Sequence, residues 1–205
     1  RRFSYEQAQE LLEAKTGEFA AELLALNEIA LELRRKKFEH GAISFETDEV
    51  RFRFDEHGHP IEAYVKDRKA AHLLIEDFML LANREVATFM HKKSEGVEIP
   101  FVYRVHDTPS IDKLNDLSLF AMELGFKFDI STPDKIIDSF NRLAEASAED
   151  DSLKLLEPLA IRTMSKAEYS TNNIGHYGLG FEYYTHFTSP IRRYSDVLSH
   201  RILEQ

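Results

Sequence analysis

The sequence predicts a helix-rich α+β protein in which helices pack on antiparallel β-sheet. Three observations lead there. Most of the 205 residues fall in runs that repeat an apolar side chain every three or four positions, the period of an amphipathic helix. Between residues 42 and 66 the period changes to two, the period of a strand with one buried face. The composition, 43% hydrophobic and 30% charged, is that of a globular domain with enough apolar side chains for a core.

"RRFSYEQAQELLEAKTG" opens the chain as a helix with a capping box, Ser4 and Gln7 each reaching the other's backbone N–H, and Gly17 as its stop. "EFAAELLALNEIALELRRKK" is a longer helix with Phe19, Leu23, Leu26, Ala30 and Leu33 on one face. Glu18 and Glu22 at its start and Arg34 to Lys37 at its end complement the helix dipole. "AISFE", "VRFRF" and "IEAYVK" then read as three strands of an antiparallel meander, with "DEHGHP" as a turn. In the second strand Val50, Phe52 and Phe54 share one face, Arg51 and Arg53 the other. "RKAAHLLIEDFMLLANREVATFMHKK" is a long helix, apolar around most of its circumference, which predicts burial on more than one side. "IPFVYRVHD" is extended.

Two threonine–proline pairs follow. Thr108–Pro109 and Thr132–Pro133 place an N-cap and a first-turn proline before "SIDKLNDLSLFAMELG", which Gly125 ends, and before "DKIIDSFNRLAEA". "SAEDDS" is a polar break, and "LKLLEPLAIRTMSKAEYS" a helix kinked near Pro158. "NNIGHYGLG" is a glycine-rich loop, "FEYYTHF" a short strand, and "SPIRRYSDVLSHRILEQ" a helix opened by proline. There is no internal repeat. The first helix starts within a few residues of Arg1 and the last has no stop signal, the pattern of a piece cut from a longer chain.

Composition narrows the function. With no cysteine there are no disulfides and no thiolate metal sites, in keeping with a cytoplasmic protein. No apolar run approaches the ~20 residues needed to cross a bilayer, and the first residues carry no signal-peptide stretch. The 26 basic residues against 36 acidic ones give a net charge of −10. A nucleic-acid site must therefore be a local basic patch in a repulsive field.

The strongest local signal is "HFTSPIRRYSDVLSH", residues 186–200, which gathers two arginines and two histidines around a Ser-Pro turn. With Pro190 as the first residue of the final helix, the N–H groups of its first turn form an anion site. Arg192 and Arg193 lie in that turn, and a guanidinium grips phosphate bidentately. Gly175 to Gly180, just upstream, permit close backbone approach to a ligand. On spacing alone, the two arginines are equally well explained by pairing with acids such as Asp196.

The longer string "GHYGLGFEYYTHFTSPIRRYSDVLSHR" closely resembles the signature of the RNB catalytic domain of the ribonuclease II and ribonuclease R exoribonucleases. "LIEDFMLLANREVA", "GAISFETDEVRFRFDEHGHPIEAYVKDRKAAH" and "PFVYRVHDTPSIDKLNDL" resemble the family's central helix, the strand region before it and the segment after it. The likeness covers essentially the whole chain and lies nearer the ribonuclease R branch. It implies a parent enzyme that removes 5′-mononucleotides from the 3′ end of single-stranded RNA by magnesium-assisted hydrolysis, acting as a monomer and with no membrane partner. It also implies that residues 1–205 are the C-terminal portion of the catalytic domain, without the flanking oligonucleotide-binding domains.

By motif position, the resemblance makes Arg192 the catalytic arginine that stabilises charge on the scissile phosphate. Ser189, Arg193, Tyr194 and His186, from the same motif, are expected RNA contacts. Phe45 matches an aromatic that stacks on terminal bases, although a core strand residue would give the same pattern. Glu76 matches a carboxylate on the 3′-terminal sugar, where the 2′-hydroxyl distinguishes RNA from DNA, although a mid-helix glutamate is more often simply solvated. Asn83 is a weaker candidate that could equally be a buried helix-to-helix bond. The family holds magnesium with closely spaced aspartates that precede this region. Nothing in residues 1–205 reproduces them, so no metal ligand is assigned here and the chain alone is expected to be inactive. "AEDDS" supplies carboxylates but reads as a solvated loop. The alternative function is a non-catalytic RNA-binding or scaffold protein that keeps the fold without the metal site. A phosphate-handling enzyme of another class would need a Walker-type glycine–lysine loop, which is missing.

Overall fold

The computed structural model describes residues 1–44, 50–65, 68–94 and 99–204, and divides into two units: 1–31 with 46–76, and 32–45 with 77–205. In the first unit, helix α1 (Tyr5–Ala14) carries the expected capping box: Gln7 N–H donates to Ser4 Oγ at 3.3 Å and Ser4 N–H to Gln7 Oε1 at 3.1 Å. It stops at Lys15, in the left-handed region at φ 56°, two residues before the expected Gly17. Helices α2 (Ala20–Glu39) and α3 (Ala70–Lys93) follow in the chain. Ala71 N–H donates to the Gln9 side chain and Tyr5 stacks on His72, fastening α1 to the start of α3.

Strands β1 (Val50–Phe54) and β2 (Pro60–Val65) form an antiparallel hairpin with Val50 opposite Val65 and Phe52 opposite Ala63. The Asp55 carboxylate closes its turn by accepting from the N–H groups of His57 and His59. Of "AISFE", expected as a strand of the same meander, the described residues 42–44 form no strand. In "AISFE", residues 42–44 are not paired to β1, because Asn141 and Gly178 take their polar groups: Ser44 N–H donates to Asn141 Oδ1, Asn141 Nδ2 to Ala42 O, and Ile43 N–H to Gly178 O. Phe45 and Glu46 lie outside the described residues. In α3, Ala71, Leu74, Asp77, Asn83, Ala87 and Met90 are buried and Ile75 and Phe89 exposed, while residues 76–84 are all buried or half-buried, the burial on more than one side that the sequence predicts.

The second unit holds the larger core. Helices α4 (Ile111–Glu123), α5 (Pro133–Ser147), α6 (Asp151–Lys154) and α7 (Leu156–Thr163) converge on Leu114, Phe140, Leu143 and Leu156, all buried, with Phe128 edge-on to Phe140 at 4.9 Å. Thr132 caps α5 with Pro133 in its first turn, as expected. Thr108–Pro109 does not do the same. Thr108 N–H is taken by Asp107, and α4 begins after Ser110. The predicted kink at Pro158 is a break one turn earlier, at Leu155; Pro158 sits in the first turn of α7, where a missing N–H costs nothing. "AEDDS" is the expected exposed break over residues 148–150, and its end starts α6: Asp150 accepts from Ser152 N–H, and Asp151 pairs with Lys154 at 2.7 Å.

The residues expected to prolong α7 instead form strand β4 (Glu168–Ser170), antiparallel to β3 (Tyr103–Val105). Tyr103 and Val105 face a second core with Ala87, Met90 and Phe101, which leaves Arg104 on the opposite face. "FEYYTHF" forms no strand, although Arg104 N–H donates to Tyr184 O at 2.9 Å. A short 3-10 turn, Tyr177–Leu179, and helix α8 (Tyr194–Leu203) complete the unit.

Candidate functional site

The final helix does not start at proline. Ser189 to Arg192 form a turn in which Ser189 O accepts from the N–H groups of Arg192 and Arg193, and α8 begins only at Tyr194. Pro190, with φ fixed near the value a β-turn needs at its second position, belongs to that turn. The anion site at a proline-opened helix end is therefore replaced by a protruding turn. Arg192 is near its tip and Arg193 caps the helix.

Several groups of the segment approaching this turn are held by side chains. Thr185 Oγ1 donates to Val102 O at 2.7 Å, and Ser199 Oγ to His186 O at 3.3 Å. His200 Nε2 bonds Phe187 O at 3.0 Å while its ring stacks on Phe187 at 4.0 Å. The buried Asn83 in α3 accepts at Oδ1 from both Phe187 N–H (2.9 Å) and Thr188 N–H (3.2 Å), and its Nδ2 donates to Tyr184 Oη at 3.1 Å. Asn83 is thus a helix-to-loop clamp. Asn83→Ala would orphan two N–H groups at about 1–3 kcal/mol each when they stay buried. We expect it to lose roughly 2–4 kcal/mol by urea denaturation, with Asn83→Asp, which keeps the acceptor, losing less.

Asp196 holds the turn itself. Its carboxylate, wholly buried, accepts from Ser189 N–H at 2.7 Å and bidentately from the Arg193 guanidinium, Nε to Oδ2 and Nη2 to Oδ1, both at 2.8 Å. Burial alone would raise its pKa; Arg193 and the Ser189 N–H outweigh burial and hold it below the ordinary carboxylate value. The pairing weighed against phosphate binding is therefore present for Arg193. Arg192 is different. It is exposed, flanked by Ile191 and Tyr194 at 96% and 69% exposure, and among the described residues its guanidinium makes no hydrogen bond or ion pair. Its donors are free for a ligand.

His186 and His176 supply no charge here. Burial first, then the nearby Arg193, pushes His186 down to about 4; burial and His106 push His176 down to about 3. Both are neutral at pH 7. Because both pKa values are lower folded than unfolded, the unfolded chain binds more protons as pH drops below about 6.5, and stability is lost progressively towards pH 4 and 3. We expect a melting temperature clearly lower at pH 5 than at pH 7.5, with a smaller difference in His176→Gln/His186→Gln.

The glycine loop also differs from expectation. A Cβ at Gly180 would lie 2.6 Å from His40 O, and one at Gly178 would lie 3.0 Å from His106 Nδ1, which accepts from Gly178 N–H. The close approach these glycines allow is to the protein's own backbone and rings. Glu76, in the first unit, is ion-paired with Arg68. Phe45 lies outside the described residues. Sequence reasoning missed Arg104, whose place between buried Tyr103 and Val105 was a signal that it leaves the core.

No group of three or more His, Asp or Glu among the described residues is arranged to hold a metal ion, so the residues described do not fit the magnesium site that the resemblance implies. Among the same residues, no helix is long and apolar enough to cross a membrane.

Fold and site together define an α+β protein with an exposed guanidinium, unpaired among the described residues, on a hydrogen-bonded turn. The RNB domain model matches residues 1–205, and the chain belongs to that family. It is 36% identical to ribonuclease R of Ureaplasma parvum over 216 residues, covering 99% of this chain and 30% of that protein. It is 34% identical to the inactive exonuclease DIS3L2 of Arabidopsis thaliana over 228 residues, covering 98% of this chain and 21% of that protein. The fold matches Mycoplasma genitalium RNase R in complex with ribose methylated single-stranded RNA, with a TM-score of 0.86, 32% identity, and coverage of 98% of this chain and 32% of that one. The chain thus spans about a third or less of the length of these relatives.

Proposed function

We propose that this chain is the C-terminal portion of the catalytic domain of a cytoplasmic, monomeric exoribonuclease. The parent hydrolyses single-stranded RNA from the 3′ end and releases 5′-mononucleotides. One observation carries the reading. Arg192 is exposed and, among the described residues, unpaired near the tip of a turn that Asn83 and Asp196 hold, in a chain whose fold matches an RNase R in complex with single-stranded RNA. A preorganised guanidinium in that position stabilises negative charge developing on a phosphate as its P–O bond breaks. Arg193, neutralised by Asp196, braces the turn; Ser189, Tyr194 and neutral His186 line its approach. Phe45 stacks on a terminal base, and Glu76 contacts the 3′-terminal sugar once Arg68 yields it. Magnesium, needed by the parent, would be held by aspartates outside this chain, and no step is derived through it.

Two measurements test this. A fluorescent oligouridylate should bind the chain with an affinity that falls steeply with salt, and magnesium alone should bring no degradation. Degradation by a clean preparation of the chain would overturn the assignment of the metal ligands to other residues. The inactive Arabidopsis relative favours a second reading, an RNA-binding protein that has lost hydrolysis. Closely spaced aspartates encoded upstream of Arg1 in the parent gene would exclude it.

A further inference from the structure

We infer that Arg104 forms a second phosphate-binding subsite, a guanidinium mounted on the ring of Tyr169, that holds the RNA backbone beside the Arg192 turn. This rests on the RNA-binding reading above. Arg104 in β3 lies directly opposite Tyr169 in β4, on the face of the small sheet turned away from Met90 and Phe101. Its guanidinium carbon is 4.8 Å from the centroid of the Tyr169 ring, a stacking contact. Tyr169 Oη in turn bonds His186 Nδ1 at 2.7 Å, which fixes the ring under the guanidinium. His186 begins the segment that ends at Arg192, so Arg104, Tyr169 and His186 form one contiguous platform leading to the turn.

The chemistry of that platform suits a phosphodiester. Stacking uses the face of a guanidinium and leaves its in-plane N–H donors pointing outward, where they match phosphate oxygens. Among the described residues Arg104 has no hydrogen bond or ion pair from its guanidinium, and it is only partly buried. His186, bonded to the Tyr169 ring on which Arg104 stacks, opens the segment that carries Arg192, so Arg104 and Arg192 flank one stretch of chain. In a chain of net charge −10, two such guanidiniums beside a single surface turn make a basic strip local enough to track an RNA backbone. Arg193 has its donors turned to Asp196 and is not counted in that strip.

The test is fluorescence anisotropy of labelled oligouridylate and oligoadenylate with the chain across a salt series. Arg104→Gln should weaken binding of both oligonucleotides equally, by roughly tenfold, and reduce the slope of log K against log[salt] by about 0.7, the value for one contact to single-stranded nucleic acid. Arg104→Lys, which keeps the charge, should restore the slope, and Tyr169→Ala should weaken binding with little change in slope. If Arg104→Gln matches the parent chain in affinity and slope while Arg192→Gln weakens binding, the subsite is wrong and the proposed function stands. Equal losses in Arg104→Lys and Arg104→Gln with an unchanged slope would reduce Arg104 to a structural residue and overturn it too. No binding by the unaltered chain would overturn both.

Discussion

Arg192→Ala in the intact parent enzyme is expected to slow single-turnover RNA hydrolysis by about 10²–10³, the loss that follows removal of one preorganised donor to a developing charge. Affinity for RNA should fall far less. The asymmetry follows from the geometry. Arg192 has no protein partner among the described residues, so its deletion disturbs no internal ion pair, and the turn beneath it is fixed by Asn83 and Asp196 independently of its side chain. What is lost is a charge poised before the substrate arrives. Arg192→Lys keeps the charge without the bidentate fork and should recover only part of the rate. Comparable losses in rate and affinity would make Arg192 a phosphate anchor and leave the catalytic role without support.

Asp196→Ala has the largest expected effect on stability. It strips the partner from Arg193, whose side chain is 17% exposed, and leaves the Ser189 N–H unmatched. Breaking a buried pair from one side costs about 3–5 kcal/mol, because the remaining charge stays desolvated. A chemical-denaturation midpoint should report that loss. Replacing both members, Asp196→Leu with Arg193→Met, should regain much of the stability, since apolar residues of similar volume often substitute for a buried pair. It should not regain RNA binding, because Ser189 loses the acceptor that shapes the turn. Recovery of binding in the double variant would show that Arg192 is presented without Asp196.

The long helices were legible because three-residue spacing survives any tertiary arrangement: α2, α3, α4 and α5 all form over their periodic runs. The short elements were not. Three residues of β4 carry too little pattern to compete with the helical run before them, and their partner Arg104 is remote in sequence. The two proline devices show the same limit. Thr132–Pro133 caps its helix, with Thr132 Oγ1 accepting from Lys135 N–H; at Thr108 the hydroxyl instead donates to Asp107 and α4 begins after Ser110, and at Pro190 Ser189 O closes a turn with the N–H groups of Arg192 and Arg193 while Asp196 takes Ser189 N–H. The position of Arg192 within its motif was readable. That its neighbour would be neutralised by a buried carboxylate, and that both nearby histidines would be uncharged, depended on burial that a linear motif does not record.

The Arg192 guanidinium is expected to meet the RNA backbone at the linkage about to be cut. A structure of the intact parent with an uncleaved oligoribonucleotide, such as one ribose-methylated at its 3′ end, tests it directly. Guanidinium N–H groups within hydrogen-bond distance, about 2.7–3.1 Å, of the non-bridging oxygens of the 3′-terminal phosphodiester are expected. A side chain turned away from that phosphate, with the turn intact, would contradict it.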